Sequence, residues 1–362
     1  PAERPQCTYT HMCSRPPASL TRPSGLSAWW SELKMIGIFA FYLGCNFVVI
    51  VIPAVAYAAW LGDAVSRGLL ALALVDYAVP LRPGRPWVAW CELTRVAEGI
   101  RSYFDAECVI EGDFRRDRSH LIVSHPHGLF GAGYGLYAHE LRERFGMKPL
   151  FTGADVVFML PLLRRIMVWW GMTMVSAAPL RRALSQPWPY NAVQLQPGGI
   201  AEMFYGTDCE QIILSKRKGL CRVALQTGAS LVPSYVFGAN EIYTRWFGPH
   251  SLAARLSSVL RTSLVGWSGR WGVPFSPLPV RGKLVIVLGA PIEVPRTESP
   301  TDDEVDALHA RYVCDLRDLF ERNKGRMGAE WVAARGSLLL EDEAPGEASA
   351  RHSGPPARAK VE

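Results

Sequence analysis

LIVSHPHG, Leu121 to Gly128, is the stretch on which the reading of this chain turns. Its first four residues make a short apolar run with two β-branched members, and Pro126 and Gly128 punctuate the next four, the pattern of a buried strand and the turn that ends it. A group on such a turn sits at the carboxyl end of a strand, where an open α/β sheet presents its chemistry. Pro126 stiffens the turn and Gly128 lets a backbone or a substrate approach closely. His125 and His127 bring side chains whose ordinary pKa lies near neutrality, as a general base requires. A structural histidine pair and a metal site are the alternatives at this point. The metal reading needs one or two further ligands, and the sequence offers no second cluster in the body of the chain.

Working outward, the pattern beyond residue 100 is one of short apolar strands separated by helical stretches. Strands are expected at Leu121 to Ser124, Thr173 to Ser176, Ala192 to Leu195, Gln211 to Leu214, Leu231 to Phe237 and Leu284 to Leu288. The alternation predicts an α/β fold with a largely parallel sheet flanked by helices. Thr301 to Lys324 reads as a surface helix with Thr301 as N-cap, acidic residues behind it, and Val305, Leu308, Tyr312, Leu316, Leu319 and Phe320 on one stripe.

Upstream, residues 36–61 (IGIFAFYLGCNFVVIVIPAVAYAAWL) carry no charge over 26 positions. A helix of that length rises about 39 Å, enough to cross a hydrocarbon core of about 30 Å with some tilt. A second apolar run, Gly68 to Pro80, is short for a span and contains Asp76, which is costly at a bilayer centre. Together the runs predict a membrane-embedded hairpin. Lys34 before it and Arg82, Arg85 and Arg95 after it place both flanks, and hence the body, on the cytosolic side. Two further stretches, Val156 to Val175 and Tyr243 to Pro277, mix Trp with Arg in the manner of a headgroup layer. The resulting organisation is a disordered tail over 1–34, a hairpin over 35–81, a catalytic domain over 82–330 and a disordered tail over 331–362.

Composition narrows the classes. Hydrophobic residues make up 49% of the 362 positions and charged residues 20%, enough apolar content to bury a core. Lys plus Arg exceed Asp plus Glu by 39 to 33, an excess too small and dispersed for nucleic-acid binding. The eight Cys include no C-x-x-C pair, which argues against zinc modules and thioredoxin-like motifs. Cys7, His11 and Cys13 lie close together without an evident fourth ligand. No dinucleotide fingerprint or phosphate loop appears, and nothing fixes the oligomeric state.

An ordered series of motifs resembles the type 2 diacylglycerol acyltransferase family, which includes monoacylglycerol and wax-alcohol acyltransferases. The series runs from Tyr103-Phe104 through HPHG and QPGGIAEMF, with Gly198, Gly199 and Glu202, to KRKGLCRVALQTGASLVPSYVFGANEIY at Lys216 to Tyr243. It ends with LGAPIEVP and the helix after it. The resemblance covers roughly residues 36 to 328. Asp105 departs from the family's usual Pro after Tyr-Phe, Ala239 departs from its usual Glu or Gln, and the Arg and Trp residues between His127 and Gly198 leave the acceptor pocket unspecified.

The resemblance implies a glycerolipid-acyltransferase-like domain that moves a fatty acyl group from acyl-CoA to a neutral glycerolipid hydroxyl, giving triacylglycerol from diacylglycerol. It implies the endoplasmic reticulum membrane, with access to lipid droplets, as the location. An alcohol needs a positioned base as it attacks the thioester, and His127 is taken as that base with His125 in support. Glu202 is the candidate carboxylate partner of the imidazole. Backbone N–H groups beside Gly128, Gly198 and Gly199 are candidate oxyanion donors, with Pro126 shaping the turn. Lys216, Arg217, Lys218 and Arg222 form the candidate CoA contact, and Asn240 and Glu241 are candidate lining residues. No cofactor is expected beyond acyl-CoA as co-substrate, since the thioester stores the driving force. Two competing readings are a catalytically inactive, membrane-anchored lipid-binding protein and a metal-dependent hydrolase using His125 and His127.

Overall fold

The computed structural model describes residues 48–83, 96–129, 133–206, 209–260 and 262–343, with Leu33, residues 36–40, Pro86, Trp87, Cys91 and Gly131. Most of the 1–34 tail, the Cys7, His11 and Cys13 group, Lys34, Arg85, Arg95, residues 41–47 and the end of the chain from 344 lie outside the described residues.

Strands form at Asp105–Ile110 (β1), His120–His125 (β2), Leu150–Gly153 (β3), Met172–Met174 (β4), Ala192–Leu195 (β5), Gln211–Ile212 (β6), Ser230–Phe237 (β7), Thr244–Arg245 (β8), Trp267–Ser268 (β9), Lys283–Leu288 (β10) and Leu339–Leu340 (β11). Seven of them make one sheet in the order β1-β10-β7-β2-β5-β3-β4. β2, the strand that ends on His125, lies in the middle, parallel to β7 on one side and β5 on the other. Its residues and those of β7 are buried throughout, as expected for central strands covered on both faces. The expectation of a largely parallel sheet therefore holds with one qualification: β10 runs antiparallel to β7, so β1 and β10 oppose the other five. A second correction concerns β6, which pairs with β11 outside the main sheet.

Helices form at Val48–Trp60 (α1), Ala64–Ala78 (α2), Val96–Tyr103 (α3), Gly133–Phe145 (α4), Leu163–Trp169 (α5), Ala177–Leu184 (α6), Gly199–Glu202 (α7), Gly219–Thr227 (α8), Leu252–Leu260 (α9), Asp302–Asn323 (α10) and Ala329–Arg335 (α11). α10 is the predicted surface helix. Thr301 caps it, accepting from the Glu304 N–H while the Glu304 carboxylate accepts from the Thr301 N–H. Its stripe of Val305, Leu308, Tyr312, Leu316, Leu319 and Phe320 packs on one face of the sheet, against Leu121, Val123, Tyr235 and Phe237 among others. α4 lies on the opposite face, where Leu136, Tyr137 and Leu141 meet Ile122 and Ile286.

Among the described residues no single helix is long and apolar enough to cross a membrane. The apolar region forms a bent pair, with α1 and α2 meeting at 119° across a short break at residues 61–63. Asp63 caps α2, its carboxylate accepting the Ser66 N–H at 2.6 Å. The pair leaves Val51, Tyr57, Trp60, Val65, Leu72 and Leu74 exposed. Asp76 is nevertheless buried. Its carboxylate receives Nε of Arg164 at 2.7 Å and Nε of Arg165 at 2.5 Å, and the Leu162 N–H at 3.2 Å. The acid that breaks the second apolar run and the arginines that break Val156 to Val175 are thus one ion cluster, which ties the end of α2 to the body.

The expected disordered tail from residue 331 also needs correction. α11 runs to Arg335, Leu338, Leu339 and Leu340 are buried, and Leu338 and Leu340 join the core that also holds Ile212 of β6.

Candidate active site

The carboxyl ends of two adjacent parallel strands build the site, the location at which such sheets bind ligands. β2 delivers His125 and continues into the Pro126-His127-Gly128 turn. β5 delivers the Pro197-Gly198-Gly199 turn that opens α7, whose last residue is Glu202. Both turns exploit glycine. Gly128 has φ of +58°, and a Cβ there would come within 3.2 Å of the Ala239 carbonyl oxygen. Gly199 has φ of +56°, and a Cβ on Gly198 would collide with the Glu202 carboxylate.

Glu202 is fully buried and satisfied by the surrounding chain. One oxygen accepts the His127 backbone N–H at 2.6 Å, and the other accepts the Ile213 N–H at 2.9 Å and faces His125 Nδ1 at 3.5 Å. Burial pushes the Glu202 carboxyl up, but the His125 ring and these two amides outweigh it and hold the group below its ordinary 4.5. The carboxylate partner of the histidine pair is therefore present, although on the ring of His125 and not on that of His127 as the sequence reading has it. His125 has no solvent exposure, and neither of its ring nitrogens makes a hydrogen bond among the described residues, Nδ1 standing at ion-pair distance from Glu202. Tyr312 of α10 stands beside it, ring centroids 6.5 Å apart, with its hydroxyl directed to the Val123 carbonyl.

His127 differs from its neighbour. Its ring is half-buried, and Nδ1 lies 2.8 Å from the Gly128 carbonyl oxygen, which requires Nδ1 to carry the proton and leaves Nε2 as an acceptor. Burial lowers its pKa below the ordinary 6.5 against the opposing pull of the Gly128 carbonyl and the Glu202 charge, so the ring is neutral at pH 7.

The remaining candidates divide. Lys216, Arg217 and Lys218 follow Ile213 within five residues, so the basic turn begins beside the amide that braces Glu202. Lys216 and Arg217 are exposed. Lys218 is paired with Asp306 at 2.7 Å and Arg222 with Asp302 of the same helix, so both also fasten α8 to α10. Asn240 and Glu241 belong to a different cluster. Asn240 Nδ2 donates to Glu210 at 3.3 Å, and Glu241 pairs with Arg335 at 3.3 Å and accepts from the Trp331 indole. Sequence reasoning missed Glu210. It is buried, accepts the Tyr235 hydroxyl at 2.5 Å, and burial raises its pKa further than Tyr235, Arg335 and Asn240 lower it. Tyr235 is the register partner of His125 across β2 and β7, and only that pairing signals its place. Tyr103 and Phe104 are core residues, with the Tyr103 hydroxyl on the Pro279 carbonyl at 2.7 Å.

Two strands contributing a histidine turn and a glycine turn, with one buried carboxylate between them, define an acid–base centre suited to activating a hydroxyl. The family model for diacylglycerol acyltransferase matches residues 66–334, and the chain belongs to that family. It is accordingly an O-acyltransferase. Diacylglycerol O-acyltransferase 2-like protein 6 of Bos taurus is 30% identical over 321 residues, 82% of this chain and 92% of that protein. 2-Acylglycerol O-acyltransferase 3 of Homo sapiens is 31% identical, covering 70% of this chain and 78% of its own. Diacylglycerol O-acyltransferase 2 of Dictyostelium discoideum is 31% identical over 62% of this chain and 72% of its own. Among solved structures, the 1-acyl-sn-glycerophosphate acyltransferase of Thermotoga maritima aligns with 82% of this chain and 97% of that one at 12% identity and a TM-score of 0.39.

Proposed function

We propose that the chain transfers a fatty acyl group from acyl-CoA to diacylglycerol, forming triacylglycerol for neutral-lipid storage, with His125 as general base. The observation that carries this reading is the pairing of the His125 ring with the buried Glu202 carboxylate. In it, Nδ1–H of His125 faces Glu202, and Nε2 takes the proton of the acceptor hydroxyl as its oxygen attacks the thioester carbonyl. The Glu202 charge stabilises the imidazolium that forms. Collapse of the tetrahedral intermediate breaks the C–S bond, and the imidazolium returns its proton to the leaving thiolate. His127, taken as the base from sequence, becomes the residue at the mouth of the turn whose Nε2 orients the incoming hydroxyl. Gly128 and the Gly198-Gly199 turn supply backbone N–H donors for the oxyanion.

Lys216 and Arg217 are the proposed contacts for CoA phosphates, since both extend into solvent beside the site. The α1–α2 pair is proposed to dip into the cytosolic leaflet of the endoplasmic reticulum membrane, with the body facing the cytosol and access to lipid droplets. Its exposed apolar face supports this, as does the neutralisation of Asp76 by two arginines. Protein recovered wholly in the soluble fraction would contradict that placement.

The test is acyl transfer by microsomes containing the chain, given labelled acyl-CoA and, separately, diacylglycerol, monoacylglycerol, a long-chain alcohol or lysophosphatidic acid. Label in triacylglycerol that disappears in His125→Ala is the expected result. Preferential labelling of diacylglycerol or wax ester reassigns the acceptor to that of a sister enzyme. No transfer to any acceptor by folded, membrane-inserted protein overturns the reading in favour of a lipid-binding role.

A further inference from the structure

The segment Leu338 to Glu343 closes over the turn that leads from the active site into the basic residues. β11 pairs in parallel with β6, Leu339 opposite Gln211 and Leu340 opposite Ile212. Past this pairing, Glu341 Oε2 accepts the backbone N–H of Leu214 at 2.8 Å, the N–H of Ser215 at 3.1 Å and the Ser215 hydroxyl at 3.2 Å. Asp342 Oδ1 faces the same hydroxyl at 2.6 Å. Arg317 anchors the segment from below, its Nη2 at 2.7 Å from each oxygen of Glu343.

Two successive N–H groups converging on one oxygen form a nest for an anion. Here the Ser215 hydroxyl, whose single proton lies nearer Asp342 than Glu341, adds a donor for the strap's carboxylates, and Lys216 and Arg217 stand next in the chain, exposed and without an ion pair among the described residues. A phosphate oxygen makes the same demands as a carboxylate oxygen on such a set. The anion held there is the protein's own. We propose that the Leu214–Ser215 nest with Lys216 and Arg217 is a phosphate site for acyl-CoA, and that Glu341 and Asp342 form an acidic strap that occupies it until acyl-CoA displaces them. This rests on the reading of acyl-CoA as the donor. Strap and donor then compete, and the apparent affinity for acyl-CoA is reduced by the fraction of molecules in which the strap is closed. The nest begins one residue after Ile213, whose N–H braces Glu202.

The experiment compares the full chain in microsomes with Glu341→Gln/Asp342→Asn and with Arg317→Ala, which removes one anchor of Glu343, whose carboxylate still accepts the Leu340 N–H, without touching the nest. KM for acyl-CoA and the inhibition constant of free CoA should both fall about threefold or more in each variant, while KM for the acceptor and kcat stay within about twofold. Unchanged or raised KM for acyl-CoA in both variants, with melting temperatures near that of the parent, overturns the strap. CoA binding to the His125→Ala protein, measured by equilibrium dialysis, separates this failure from that of the reading beneath it. Absence of CoA binding removes the donor assignment and the strap together, whereas retained binding with unshifted variants removes the strap alone. Inorganic phosphate that inhibits as strongly as CoA at equal concentration overturns the assignment to CoA.

Discussion

Glu202 serves both histidines of the turn at once, one oxygen 3.5 Å from His125 Nδ1 and the other accepting the His127 N–H at 2.6 Å. The same side chain that orients the proposed base also fixes the backbone on which the base stands. Glu202→Gln preserves the shape and removes the charge. It should lower kcat about 100-fold or more and leave KM for acyl-CoA within a few-fold. Steady-state kinetics on microsomes check this, and parental kcat in the variant excludes Glu202 from the chemistry.

The two histidines should separate in the same assay. His125→Ala removes the proposed base and should cost about 1,000-fold in kcat. His127→Ala keeps the base and its carboxylate, so it should act chiefly on KM for the acceptor. The opposite ranking returns the base to His127.

Gly198 stands where a Cβ would strike the Glu202 carboxylate and Cβ. Gly198→Ala should therefore displace Glu202 and lower kcat while leaving the fold intact, because φ there is −67° and allows any L residue. Circular dichroism beside kinetics distinguishes this from a folding defect.

Acid should weaken the protein in two steps. His127 has a folded pKa below 6.5, so the unfolded chain binds its proton first and stability declines as pH falls from about 6.5. Glu202, held below 4.5, contributes stability in full above that value and loses it as pH drops through the lower folded pKa. Glu210 runs the other way, since its raised pKa makes stability fall as pH rises above 4.5. Relative to the parent, Glu210→Gln should be better tolerated at pH 8 than at pH 5. Melting temperatures across pH 4 to 8 give the sign in each case.

Much of the central sheet is legible in the sequence alone. The β-branched runs at Leu121, Ala192 and Leu231 become β2, β5 and β7 because central parallel strands are apolar on both faces and leave a continuous signal. β1, with Asp105 and Glu107 in an edge position, and β3, only four residues long, lack that signal. The histidine and glycine turns are legible as motifs. Their pairing is not: His125 and His127 are both within reach of one carboxylate, and choosing between ring and backbone requires three-dimensional geometry. The strap is hidden by its composition, since Glu341-Asp342-Glu343 reads as a solvated tail until Arg317 and the Leu214–Ser215 amides are seen to receive it.

Asp76 with Arg164 and Arg165 is a further point of prediction. Asp76→Ala leaves Arg164, only 10% exposed, without its carboxylate and should lower stability by about 3 kcal/mol. Asp76→Leu with Arg164→Met and Arg165→Leu should recover most of it. Thermal unfolding in detergent tests both, and trypsin cleavage after Arg67, which lies within α2 and precedes Gly68, should quicken in the single variant if α2 has come away from the body.

Leu214 and Glu341 are separated by 127 positions in the chain. A contact of that span closes only after most of the sheet has formed, because the entropy of so large a loop must be offset by structure already in place. The amide pair beside the catalytic carboxylate therefore stays unfilled through most of folding, and the strap is the last part of the site to close. Ribosome-bound chains should consequently hold a formed sheet and an open nest before they hold the closed strap.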